Sequence, residues 1–140
     1  MAVYLEALAG PPSAERRQKA QAALAQAKSA QPGEGPGAEV YAGACGACHD
    51  RGREAASGGA LHLALGTAMT IPTSRNLLRI TFEGIAPPEG QAGRAMPGFA
   101  NALTDRQAKD LMAYIREHFG RAPAWTDVED ELKKIREGRK

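Results

Sequence analysis

The sequence predicts an all-α fold, and three observations carry that prediction. The stretch from Thr104 to Phe119 sets Leu111, Met112, Ile115 and Phe119 at helical spacing; Thr104 and Gln107 stand in capping-box positions and Gly120 stops the run. Thr73 to Glu83 forms a second apolar helix with Leu77, Leu78, Ile80 and Phe82, ended by Gly84. Strands are hard to find: Leu61, Leu63 and Leu65 alternate like a short one, yet helical turns fit them equally well.

The other elements follow in chain order. Residues 1–10 are mildly apolar through Val3, Tyr4, Leu5 and Leu8, and Pro11-Pro12 stops them. Ser13 can cap a helix running to about Ser29, rich in good helix formers but with Leu24 its one large apolar residue, so it reads as an arm or linker. Pro32 to Gly37 is a flexible break, and the compact domain is expected to start near Ala38. Glu39 to about Ala47 should be the first core helix, with Tyr41 and Ala44 on its buried side. Residues 50–60 are polar and Gly-rich and read as loop; Pro87-Pro88-Glu89-Gly90 is turn chemistry. Residues 90–100 are irregular around Met96-Pro97-Gly98-Phe99. A last helix should start at Thr126 or Asp127 and carry Val128, Leu132 and Ile135, with Trp125 docking this tail on the domain. The resulting division is an arm over 1–37, a core domain over 38–120 and a C-terminal amphipathic helix within 121–140 packed on it.

Chemistry enters at Cys45-Gly46-Ala47-Cys48-His49. Cys-x-x-Cys-His is the pattern that attaches a c-type haem: each thiol adds to a vinyl group and the adjacent imidazole ligates iron. On a helix Cys45 and Cys48 share a face, and His49 follows directly. A redox dithiol or half of a zinc site are the alternatives. The zinc reading lacks ligands, since the chain has 2 cysteines and His62 and His118 lie far from the motif. The dithiol reading wants a preceding strand that the Gly/Ala-rich flank does not offer.

Composition agrees with one haem c in the core. The 140 residues suit one domain with extensions. At 5% aromatic content, with 16 glycines and 9 prolines, a plain polypeptide core would be thin. A haem is itself a large apolar body, and Leu61, Leu63 and Leu65 are expected to line its pocket. The formal charge of +2 argues against nucleic acid as a partner. No window is long and apolar enough to span a bilayer, although peripheral association is compatible with the chain. Covalent haem attachment takes place outside the cytoplasm, so a periplasmic or otherwise exported location is expected. Met1-Ala2-Val3-Tyr4-Leu5 lacks the character of a signal peptide. The export signal is then expected to have been removed, or the sequence to be part of a longer exported chain.

Iron held by His49 needs an occupant on its other face. Met69, Met96, Met112, His62, His118 and an open or water-bound site are the candidates. Met112 sits mid-helix, where packing explains it; Met69 lies in a polar, Thr-rich stretch; His118 ends a helix, where the dipole favours a solvated cation. Met96 is preferred, because Pro97 fixes an irregular backbone free of helix register. Methionine sulfur raises the reduction potential relative to a second histidine. Arg75 and Arg94 are candidates for pairing with the haem propionates.

Taken with Met96-Pro97-Gly98-Phe99 and the helix bearing Leu111, Tyr114 and Ile115, the haem motif makes the chain resemble class I cytochrome c over residues 38–120. The resemblance implies a small helical domain around one covalent haem, Cys45 and Cys48 as thioether attachments, His49 as proximal and Met96 as distal ligand. It also implies that the helix before Cys45 packs on the helix at 105–118 near Tyr114. The runs Ile71-Pro72-Thr73-x-x-Asn76-Leu77-Leu78-Arg79-Ile80 and Met96-Pro97-Gly98-Phe99 are similar to haem domains in the multi-haem cytochrome subunits of alcohol, aldehyde and nicotinate-type dehydrogenases. The implied function is one-electron, outer-sphere transfer between a dehydrogenase and a quinone-linked complex or terminal oxidase, with no catalytic residues. Alternatives are a haem enzyme or sensor with an open sixth position, and a docking module of a larger redox complex. One departure is that Ser57-Gly58-Gly59-Ala60-Leu61 lacks the proline the family often has in the loop that orients the proximal imidazole.

Overall fold

A computed structural model describes residues 13–29, 33–50, 62–93 and 95–138. The expectations for residues 1–10, the loop over 51–60, the Ser57–Leu61 run and Arg94 lie outside the described residues. The chain divides into two units, Met1–Ala30 and Gln31–Lys140. In the first, α1 (Ala14–Ser29) starts where Ser13 Oγ accepts from the Arg16 N–H at 3.2 Å, so the serine is its cap.

The second unit is helical. It contains α2 (Pro36–Ala44), α3 (Gly46–His49), α4 (Arg75–Glu83), α5 (Asp105–His118) and α6 (Val128–Arg136), with 3₁₀ turns at Leu63–Leu65 and Thr67–Met69. Among the described residues there is no strand, and one isolated antiparallel bridge joins Ile85 to Met96. From Leu63 to Leu65 the run takes its helical alternative: Leu63 is buried and Leu65 is exposed, while Leu61 lies outside the described residues.

The first core helix differs from its expected form. The span Glu39 to Ala47 is broken at Cys45, which has φ −117° and closes α2 while opening α3. The Cys45 N–H still bonds Tyr41 O at 2.8 Å, whereas the His49 N–H turns back to Cys45 O at 3.0 Å. One ladder thus ends and a new turn begins on the same residue. The helix also starts earlier, at Pro36, where a missing N–H costs nothing and a fixed φ assists.

Helix α2 packs on α5. Gly37 is buried at the crossing, where an added Cβ would lie 2.8 Å from Tyr114 Cβ and nearer still to the Asp110 carbonyl, so the backbones approach as only glycine allows. One turn on, Tyr41 meets Tyr114 and Phe119, each with ring centroids 5.3 Å apart. Helix α5 supplies the centre of the core. Leu111 and Met112 are fully buried beside Leu78 of α4, and each large apolar side chain so placed contributes about 1.5–3 kcal/mol. Both halves of the Thr104/Gln107 capping box are formed. Helix α4 starts at Arg75, two residues later than expected; the Thr73 hydroxyl before it donates to Asp127 and accepts from the Arg75 N–H at 3.3 Å. Ile80 is half-buried, unlike Leu77, Leu78 and Phe82.

Helix α6 lies against α4 and α5 with Val128 and Leu132 buried. Trp125 anchors the segment before it by donating from Nε1 to Ile71 O at 2.9 Å. Arg116 of α5, buried although charged, donates to the carbonyls of Met69, Ile71 (3.1 Å) and Pro123 (3.2 Å) and lies 4.5 Å from the Trp125 ring centre. These acceptors and the ring face offset the cost of burying a guanidinium. At the far end Arg136 donates to Asp105, Leu103 O and Ala100 O and covers Phe82.

Asp127 connects the two ends of this tail contact. Its carboxylate accepts from the Thr73 hydroxyl at 2.6 Å and from the Ser74 N–H at 3.2 Å. Burial alone would raise its pKa, but the hydrogen bonds from Thr73 and Ser74 outweigh that and hold it below the ordinary 3.8. A carboxyl with a depressed folded pKa stabilises the fold above its unfolded pKa, and that stability is lost as pH falls through the folded value. Asp127→Ala is expected to cost roughly 1–3 kcal/mol near neutral pH, and the gap from the native protein should close in denaturant melts taken well below pH 3.8. An equal gap at all pH values would show that the carboxylate charge is not what holds the tail.

Candidate functional site

The break at Cys45 determines how the five-residue motif is presented. Cys45 is 7% exposed, at the inner side of the turn, while Cys48 is exposed and His49 half-buried. The thiols are not bonded to one another. Burial pushes the Cys45 thiol up to about 11, with Asp50 and Cys48 adding to the effect. Reactive dithiols need the opposite shift, so this environment does not favour a cycling dithiol. Among the described residues no three His, Cys, Asp or Glu side chains gather into a metal site, and the zinc alternative finds no ligand set there. Two unpaired thiols on one short turn, followed at once by an imidazole, form a donor set that fits a haem: two attachment points and one nitrogen ligand.

The residue after the motif is held as well. Tyr41, 3% exposed, donates its hydroxyl to Asp50 Oδ1 at 2.6 Å. Burial raises the Tyr41 pKa far above its ordinary value, with the Asp50 hydrogen bond second. Tyr114 is raised too, first by burial, against a backbone hydrogen bond with Gly33. Motif reading by itself passes over Asp50. The signal that could have found it is a carboxylate directly after the last motif residue, with a core tyrosine nine positions earlier.

Met96 lies in a tied loop. Its N–H donates to Ile85 O and its carbonyl accepts from the Ile85 N–H, both at 2.9 Å. Downstream, the Phe99 N–H donates to Thr81 O at 2.9 Å and the Ala100 N–H to Phe82 O at 3.3 Å. The segment is thus fastened to the C-terminal end of α4, which Gly84 closes at φ 79°. The Met96 side chain is half-buried. The other candidates have different surroundings. Met112 is fully buried inside α5, and Met69 is buried with its carbonyl bound by Arg116. His62 Nδ1 accepts from the Ala64 N–H at 3.3 Å, and the His118 ring stacks on Tyr114 at 5.0 Å. Arg75 lies 4.0 Å from Glu131.

A helical domain that presents this motif belongs among the cytochromes, and similarity to known proteins agrees. The family model described as "Cytochrome C oxidase, cbb3-type, subunit III" matches residues 34–115, and the chain belongs to that family. The chain is 34% identical over 102 residues to a nicotinate dehydrogenase subunit of Pseudomonas putida, a match covering 71% of this chain and 9% of that protein. It is 34% identical over 97 residues to the dihydro-heme d1 dehydrogenase of Pseudomonas aeruginosa, covering 69% of this chain and 18% of that protein. The chain therefore spans under a fifth of either curated relative. The first of them has the nicotinate-dehydrogenase character expected from the Ile71–Ile80 and Met96–Phe99 runs. No helix of the described residues is long and apolar enough to cross a membrane.

The Ile85–Met96 bridge can be tested directly. Ile85→Pro removes one of its two donors and is expected to cost roughly 1–3 kcal/mol. The Met96 amide should lose hydrogen-exchange protection while the Leu111 amide in α5 keeps its own. Retained protection at Met96 would mean that the loop is held without the bridge.

Proposed function

We propose that the chain is a one-electron carrier of class I cytochrome c type, holding one haem c through thioether bonds from Cys45 and Cys48, with His49 as the proximal ligand and Met96 as the distal one. The single observation that carries this reading is the Cys45-x-x-Cys48-His49 turn, with its buried and its exposed thiol, inside a chain of a cytochrome family. A bound haem would supply ferric/ferrous chemistry, and the protein the rest. Cys45 and Cys48 hold the group in place. His49 and Met96 would both ligate the iron, which would then bind neither oxygen nor substrate. The apolar core that Leu63, Leu77, Leu78 and Leu111 share with Cys45 would lower the dielectric around a bound haem and disfavour the more charged ferric state. No bond of a substrate is made or broken, so no acid–base pair is assigned and the chain is read as a carrier, not an enzyme.

The partners follow from the relatives. The nicotinate and dihydro-haem d1 dehydrogenases it resembles, and the oxidase family it belongs to, support a place between a dehydrogenase and a respiratory acceptor. Covalent haem attachment supports an exported, periplasmic site of action. Packing of α6 on α4 and α5 favours a shielding role for the tail over a docking one.

The alkaline pyridine spectrum of protein matured in a host competent for haem attachment tests the reading. The expected spectrum is that of a haem joined through two thioethers. A haem that can be extracted, or a polypeptide of unmodified mass, would overturn it. Met96→Ala should abolish the weak sulfur-to-iron charge-transfer band of the ferric protein and lower the midpoint potential. If the band and the potential persist, another residue ligates. His49→Ala is expected to lower thermal stability as well as redox function, because the cofactor forms part of the core.

A further inference from the structure

We infer that the Tyr41–Asp50 hydrogen bond is a positioning device for the proximal ligand, orienting the His49 imidazole from the residue directly after it. This rests on the assignment of His49 to haem iron.

The geometry is specific. Tyr41 sits on α2 with its ring held between Tyr114 and Phe119, so its hydroxyl is fixed by the helix crossing. That hydroxyl donates at 2.6 Å to the carboxylate of Asp50, which terminates α3. The carboxylate folds back over the motif: a Cβ built on Gly46 would stand 2.9 Å from Asp50 Oδ2. Gly46, the first variable residue of Cys-x-x-Cys-His, thus provides the room that lets Asp50 reach Tyr41. Backbone bonds from the Asp50 N–H to Gly46 O and from the His49 N–H to Cys45 O, both at 3.0 Å, complete the turn. The motif is held at its start by α2 and at its end by a charge-assisted bond to that same helix.

A short four-residue helix such as α3 has little stability of its own. Without the Asp50 tie, the turn that ends in His49 would lose this link to α2. Partners that orient a ligating imidazole tune the metal. A fixed negative charge one residue from the ligand also favours the ferric state, since it stabilises the more positive centre.

Three variants of the haem-loaded protein test the inference: Tyr41→Phe, Asp50→Ala and the pair combined. The readouts are the low-spin ferric electron paramagnetic resonance spectrum, which reports axial-ligand orientation, and the midpoint potential. Tyr41→Phe keeps the ring packing and removes the donor alone. It is expected to shift the resonance g-values, and Asp50→Ala to shift them similarly and to raise the potential. In the Asp50→Ala background Tyr41→Phe should then add nothing, because the bond it breaks is already gone. If both single variants match the native g-values and potential, or if the two shifts simply add, the tyrosine and aspartate have separate structural roles and the inference fails. Should Asp50→Ala not mature, Tyr41→Phe alone decides: unchanged g-values overturn the inference. If the native protein attaches no haem, the functional assignment itself falls. Attached haem with unmoved spectra sinks the positioning role alone.

Discussion

The crossing of α2 and α5 is the contact on which the rest of this structure depends. Gly37 lets the helix backbones touch, and Tyr41 fills the next turn against Tyr114 and Phe119. Because α2 runs without a loop into the break at Cys45, the crossing also sets where the motif begins. The helix contact and the position of the thiols are therefore one variable. A packing error at Gly37 would move Cys45 with it, since a close-packed interior transmits displacement.

The other side of the domain is organised around carbonyl groups. The segment from Leu63 to Ser74 has two 3₁₀ turns and little regular pairing, so its polar backbone atoms need partners from elsewhere. Arg116 and Trp125 bind the carbonyls of Met69 and Ile71, and Asp127 takes the Ser74 N–H. The C-terminal tail thus completes the hydrogen bonding of an irregular stretch while Val128 and Leu132 close the core. This gives α6 a role in the fold of the domain.

What could be read from sequence was local. The Thr104/Gln107 cap, the apolar stripe of α5 and the stop at Gly84 are each specified within a few residues, and each stands where it was expected. The motif at Cys45 was equally plain, because its chemistry is its spacing. What escaped was non-local or double in meaning. Gly37 and Pro36 look like linker residues, yet one is a helix crossing and the other a helix start. Asp127 acts on Ser74 across 53 positions and Arg116 on Met69 across 47, distances at which no periodicity signals a contact. The break at Cys45 was hidden because the alanines around it continue a helix as readily as they end one.

Under the proposed ligation, two ways of holding a ligand would meet in this molecule. Met96 would reach iron from a loop tied at both ends by backbone bonds, to Ile85 and to Thr81 and Phe82. That arrangement fixes where the residue sits but leaves its side chain three rotatable bonds. His49 closes a short helix that buried Cys45 opens, and the residue after it is bound to Tyr41. The imidazole is the stiffer side chain and has the stiffer mount. Under the proposed ligation the asymmetry would be useful: the rigid side would maintain the ligand field, and the flexible methionine would absorb small changes in bond length between two oxidation states.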